Sequence, residues 1–177
     1  MHADNILGPV KQWGYLVKDL EAAMECWVEQ LGVGPWWGYR NVSMESTFGG
    51  EVNQVTIDVA LAYQNGVQIE LIQQTNDVLS PYSAFYDTDK SQFLHQLAYH
   101  TPQIDQAVAD CLARGMREVG TIRTPMDRRY IYMDSTAMDG LVIELMEVDE
   151  NDIAEFDRCA SEAQSWDGSD PYRLISL

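Results

Sequence analysis

A pattern of residues stated twice along the chain limits what it can fold into. Residues 12–17 (QWGYLV) lead into Lys18-Asp19-Leu20, and residues 96–101 (QLAYHT) lead into Pro102-Gln103-Ile104. In both places a short strand-like run gives way to an amphipathic helix. The first helix carries its apolar stripe on Leu20, Ala23, Met24, Trp27 and Val28; the second on Ile104, Ala107, Val108, Cys111 and Leu112. Both stripes follow the i, i+3, i+4, i+7, i+8 spacing of a helix facing a core, and their members pair at one constant offset. Asp19 is placed to cap the first helix, and Gly32 and Gly115 fall where glycines end helices.

The far ends of the two segments match as well. Residues 65–72 (NGVQIELI) resemble residues 139–146 (DGLVIELM). Asn-Gly and Asp-Gly favour tight turns, because a type I′ turn needs positive φ at both central residues. Each pair therefore feeds a last strand. Preceding strands are expected at 55–63 and 130–133, with the remaining strand of each unit at 36–40 and 118–123. The expected fold is α+β: two βαβββ modules forming a cupped, mostly antiparallel sheet, followed by a C-terminal helix. The boundaries are 8–75 for the first module, 76–93 for a linker rich in turn residues, and 94–148 for the second module. Residues 149–177 form an acidic helix and tail, in which Ile153, Phe156, Ala160 and Ala163 make a narrow docking stripe and 166–171 reads as flexible.

Charge narrows the partners. The chain has 28 acidic and 11 basic residues, a formal net charge of −17. Nucleic acid and anionic membrane would be repelled, while neutral or cationic small ligands are unopposed. Cys26, Cys111 and Cys159 are an odd count without a CxxC pair, which argues against a disulfide framework and fits a reducing compartment. No basic segment followed by an apolar run opens the sequence, and no stretch is long and apolar enough to span a bilayer, so a cytoplasmic protein is expected.

Alternation along strands then selects side chains. Gln12, Gly14 and Leu16 share a face, as do Gln96, Ala98 and His100; Gln68, Glu70 and Ile72 form a third row, and Val142, Glu144 and Met146 a fourth. Glu70 and Glu144 are each flanked by Ile and Leu. Two carboxylates at equivalent places of a repeat converge on one centre if the modules pair, or face solvent if the strands are half exposed. Trp36 and Trp37 suit either an aromatic ligand rim or core packing. Arg117, Arg123, Arg128 and Arg129 suit either a ligand anion or the many surface acids.

Residues 12–20, the LGVGP run at 31–35, residues 67–71 and residues 139–144 together resemble the glyoxalase/bleomycin resistance/dioxygenase group, the vicinal oxygen chelate superfamily. The resemblance covers about Val10 to Glu147. It implies a site whose metal ligands come from the first and last strands of each module, here Gln12, Glu70, Gln96 and Glu144. Where the family usually has His, this chain has Gln96. His95 falls one residue early, on the opposite face, and only a β-bulge would bring it in. Such an all-oxygen set suits Mg, Mn or Ca better than Zn, within a family range that extends to Ni and Zn. Without metal, the two glutamates would raise each other's pKa, with Gln12 and Gln96 holding them apart.

The resemblance implies a glyoxalase-like lyase or isomerase, removing a proton beside a carbonyl and stabilising the enolate. Glu144 or Glu70 would act as ligand or base, and His100, on the Gln96 face, as proton shuttle or pocket wall. The alternative is a metal-free sequestration protein of the bleomycin-resistance kind, for which the missing His and the negative charge both speak. Relatives of this type imply a homodimer.

Overall fold

The computed structural model describes residues 5–176; residues 1–4, read above for a leader, and 177, the end of the acidic tail, lie outside the described residues. The first module runs β1 (Gln12–Val17), α1 (Leu20–Leu31), β2 (Trp36–Phe48), β3 (Glu51–Gln64) and β4 (Val67–Gln74). A connection containing the short helix α2 (Ser83–Tyr86) leads to β5 (Gln92–Thr101), α3 (Ile104–Ala113), β6 (Arg117–Arg123), β7 (Arg129–Asp134) and β8 (Val142–Glu147). Helix α4 (Glu150–Gln164) and strand β9 (Tyr172–Ser176) complete the chain.

Local chemistry accounts for the element ends. Asp19 accepts from the Ala22 backbone N–H at 3.0 Å and caps α1, while Gly32 closes it in the left-handed region. Asn65 and Gly66 both have positive φ, as a tight turn between β3 and β4 demands. Asp139 and Gly140 share that property but end a longer β7–β8 connection that includes one 3₁₀ turn.

The strands hydrogen-bond in the order β3-β4-β1-β5-β8-β7-β6-β2-β9, and β2 also pairs with β3. The eight module strands therefore close on themselves, and β9 adds to the first half of β2. In each module the first and last strands are parallel (β1 with β4, β5 with β8), and the modules join through the antiparallel β1–β5 pair. The expected α+β cupped sheet with a C-terminal helix is what the chain adopts, carried further to closure. Closure arises because β2 continues past Arg40 to Phe48, where its last residues pair with β6. The strand expected at 36–40 is thus much longer. The stretch expected to be flexible is pinned instead: the Trp166 indole lies against Gly34 and donates to the Ser169 carbonyl at 2.7 Å, steering the chain into β9.

Four apolar clusters form among the described residues. The stripe of α1 packs with Trp36, Ala60, Ala62, Ile69 and Leu71 on the outside of the first module. The stripe of α3 packs with Ile131, Met133, Ile143 and Leu145 on the outside of the second. The third fills the barrel, with Leu16, Met44, Val55, Ile57, Ile72, Tyr82, Ile122 and Tyr132 among its members. Phe156 of α4 packs with Ala98, Met146 and Val148 at one end of the barrel. Among the described residues no helix is long and apolar enough to cross a membrane.

Candidate active site

Pairing of the modules brings the inner rows of four strands to one place. Gln12 (β1), Gln96 (β5) and Glu144 (β8) are buried, at 1%, 0% and 2% exposure, and Glu70 (β4) is partly open to the interior. The Gln96 amide nitrogen donates to Glu70 Oε2 and to Glu144 Oε2, each at 3.2 Å. The inner end of the Gln12 amide lies 3.2 Å from the same two oxygens. Gln12, Glu70, Gln96 and Glu144 thus converge; the alternative of solvent-facing glutamates is not what the fold produces.

Close approach at this centre depends on Gly14. A Cβ there would stand about 2.5 Å from the Gln96 side chain, so the absence of a side chain on β1 makes room for the amide of β5. Gly14 pairs directly with Gln96, whereas Tyr15 pairs with Leu94. His95 is the residue left over, a β-bulge that twists the strand locally. The bulge corrects the expectation that His95 faces away. It is buried, its Nδ1 contacts Gln96 Oε1, and its ring lies 5.8 Å from Tyr82 and 6.0 Å from Tyr132. Burial lowers its pKa, against hydrogen bonds to Gln96 and the Pro81 backbone that raise it.

Electrostatics follow from enclosure. Desolvation and the neighbouring Glu144 charge push Glu70 well above the usual carboxylate range, with the Gln96 hydrogen bond opposing them. Glu144 is raised to about 7, chiefly by desolvation, while hydrogen bonds from Tyr132 and Gln96 pull it back. The Tyr82 and Tyr132 hydroxyls lie 2.8 Å apart and share a hydrogen bond in which either can donate.

Above the four polar groups lies a cavity of ≈ 300 Å³. Glu70, Glu144, Tyr82, Tyr130 and Tyr132 line it together with Val42, Met44, Ile57, Val59, Leu61 and Ile72. Tyr39 and the β6–β7 turn, Thr124-Pro125-Met126, complete the lining; Tyr39 and Met126 are exposed and mark its mouth. The aromatic lining is therefore tyrosine. Trp36 is buried in the outer cluster of the first module, and Trp37 packs edge-on against Tyr63 at 6.1 Å. Tyr130 and Tyr132 escape sequence reading because the β7 row becomes recognisable only once its facing strands are known.

His100 does not reach this cavity, which corrects the expectation that it faces the same cup. Its ring packs at 5.0 Å on Phe156, in a separate pocket of ≈ 60 Å³ beneath α4. Burial, with Lys11 adding to it, lowers its pKa to about 4. The four arginines are matched by acids: Arg117 by Asp134, Arg123 by Asp127, Arg128 by Asp149 and Asp152, and Arg129 by Asp105 and Glu147.

The donor set can be tested against a metal ion. With its oxygen inward, Gln12 presents Oε1 3.2 Å from both carboxylate oxygens. That sets the amide oxygen against two carboxylate oxygens, which already accept from Gln96, and costs about 1–3 kcal/mol for the unsatisfied amide oxygen. Oxygen donors about 3 Å apart are, however, the spacing found around a small divalent cation with bonds of about 2.1 Å. Turned over, the amide nitrogen takes the inner place and donates to both carboxylates. Among the described residues no cluster of three or more His, Cys, Asp or Glu could hold a metal; here two of the four donors are amides. The residues fit a hard divalent cation such as Mg or Mn, and fit Zn less well.

A pair of βαβββ modules with glutamates facing across the joined first strands defines a class. The chain belongs to the glyoxalase/bleomycin resistance protein/dioxygenase superfamily, whose family model matches residues 11–133. Among solved structures it is similar to methylmalonyl-CoA epimerase from Mycobacterium tuberculosis, with 21% identity, 87% of this chain and 97% of that one covered, and a TM-score of 0.58. A Streptomyces coelicolor methylmalonyl-CoA epimerase variant in complex with 2-nitronate-propionyl-CoA is 20% identical over 79% of this chain and 94% of that one, at a TM-score of 0.53. A hypothetical protein from Bacillus halodurans is 14% identical over 80% and 95%, at 0.58. Identities this low speak to the fold. No curated protein sequence matches the chain.

Proposed function

We propose that the protein is a metal-assisted isomerase or lyase of glyoxalase type, acting on a small neutral carbonyl compound by removing a proton beside the carbonyl. The observation that carries this reading is the convergence of Glu70 and Glu144, bridged by two amides, at the floor of an apolar cavity. Glu70 and Glu144 would hold the ion together with Gln12 and Gln96, each amide turned so that its oxygen faces inward. When bound, the ion supplies Lewis-acid polarisation of the substrate oxygens.

The remaining work falls to the chain's own groups. The apolar wall excludes water and orients the substrate's hydrocarbon part. Glu144 or Glu70 accepts the proton from carbon as general base. The hydrogen-bonded Tyr82–Tyr132 pair lines the cavity beside Glu144, where Tyr132 favours the charged carboxylate. Having accepted the proton, the carboxyl returns it to the enolate at the same or a neighbouring carbon, which is isomerisation. The epimerases that share the fold are isomerases by name; the class is the same, and the substrate is proposed to differ. A homodimer and a cytoplasmic setting belong to the same reading.

A second reading is favoured by one observation. An apolar cavity with two carboxylates at its floor also suits capture of an aromatic cation without chemistry. Elemental analysis of the purified protein separates the two. The enzyme reading expects one divalent ion per chain, affinity at least ~100-fold weaker in Glu70→Gln and in Glu144→Gln, and exchange of a substrate carbon-bound proton with D₂O. A protein that takes up no divalent ion yet binds an aromatic cation with undiminished affinity would reverse the assignment.

A further inference from the structure

Behind the four converging groups runs a line of hydrogen bonds that the proposed chemistry does not use. The outer end of the Gln12 amide lies 2.7 Å from the Gln68 amide, and the other end of Gln68 lies 2.5 Å from the Tyr63 hydroxyl. Gln68 is buried, at 4% exposure. Tyr63 sits at the rim of the ≈ 60 Å³ pocket beneath α4, which Gln68, His100 and Asp157 also line. We propose that Gln68 and Tyr63 are positioning residues that set which end of the Gln12 amide faces the two glutamates, and so ready the site for a divalent cation. The proposal rests on the metal reading given above.

The argument is one of donor and acceptor polarity. A primary amide has two donors on one end and only acceptors on the other. Gln12 can therefore turn over only if Gln68 turns with it, and Gln68 only if its last partner serves either polarity. A phenol hydroxyl does, since it both donates and accepts. With Gln12 Oε1 inward, as a cation requires, its nitrogen donates to Gln68 Oε1, and Gln68 Nε2 donates to Tyr63. With the nitrogen inward, each bond of the line reverses and Tyr63 donates to Gln68. In the first state the Tyr63 proton needs a new acceptor. The adjoining pocket exceeds the volume one water molecule needs, and His100 Nε2 within it is buried without a hydrogen-bond partner. Both states are closed networks, which is what lets one centre exist with and without an ion. At Gln96 the outer end meets His95 instead, so the two amides are held by unlike partners despite the repeat.

The test uses the full chain, the variants Gln68→Met and Tyr63→Phe, and the control Tyr15→Phe, whose ring packs on Trp27 outside the barrel. In metal-free protein, the side-chain amide protons of Gln12, followed by ¹⁵N-resolved NMR, are expected to exchange slowly. They should shift and exchange faster in Gln68→Met and Tyr63→Phe and stay unchanged in the control. Mn²⁺ affinity by titration calorimetry should fall about tenfold in Gln68→Met and less in Tyr63→Phe. Unaltered Gln12 amide signals in both variants, with melting temperatures showing that they fold, would overturn the relay whatever the metal result. Failure of the unmodified protein to bind Mg²⁺ or Mn²⁺ would instead overturn the metal reading, and the amide signals would still judge the relay.

Discussion

Glu70 and Glu144 carry the chemistry at the residue scale, and their neighbours decide how. Flanking Ile and Leu side chains bury the strands on the outer face, so each glutamate must look inward, where it meets its counterpart. Desolvation then raises both pKa values, Glu144 to about 7 from an ordinary 4.5. This has a consequence for metal-free protein. A carboxyl whose pKa is higher folded than unfolded binds more protons in the native state, so its contribution is full below the unfolded value and is lost as pH rises through the folded one. With metal removed by chelation, melting temperature is expected to decline between about pH 4.5 and pH 7, and added Mn²⁺ should restore more stability at pH 7.5 than at pH 5. Differential scanning fluorimetry across that range checks it, and a metal-free melting temperature that rises over the window would contradict it.

Register between two strands does the deciding work at the element scale. β1 and β5 meet with Gly14 opposite Gln96, and the bulge at His95 lets consecutive residues of β5 both turn inward. A plain alternating reading of β5 puts His95 outside, and that reading fails because an added residue in one strand shifts the side chains on one side of it to the other face. The Gly14 contact is with the Gln96 side chain from Cγ outward, not with backbone. Gly14→Ala should therefore cost little stability while displacing the Gln96 amide. The expected result is about tenfold weaker Mn²⁺ binding with a melting temperature within a few degrees of the parent, measured by calorimetry and thermal melt. Equal, large losses in both would mean that the strands themselves part.

Over the whole molecule, charge and cavity lining together choose among ligands. The chain carries −17, its arginines near the mouth are each tied to acids, and among the described residues no basic side chain lines the cavity. An anionic substrate would find no partner for its charge and would approach through a repulsive field. In a thermal-shift panel with Mn²⁺ present, neutral hydroxy- or diketones bearing an apolar group are expected to stabilise the protein. CoA thioesters and dicarboxylic acids should leave it unchanged. A larger shift with a CoA thioester than with any neutral ketone would refute the substrate class.

Periodicity, the repeated helices, the turn residues and the paired Ile-Glu-Leu strands are local properties, and they define the duplicated architecture; the four residues at its centre came from the resemblance to the superfamily, since alternation alone leaves the glutamates free to face either way. Helix stripes and strand alternation depend only on spacing along the chain. What lay beyond them is non-local. Closure of the barrel needed β2 to find β6, His95 needed a bulge that only the β1–β5 register creates, and His100 was drawn under α4 by Phe156. The tyrosines of the cavity and the Tyr63–Gln68 line behind Gln12 belong to the same group, since which side chains meet across a closed sheet is decided by pairing between strands distant in sequence.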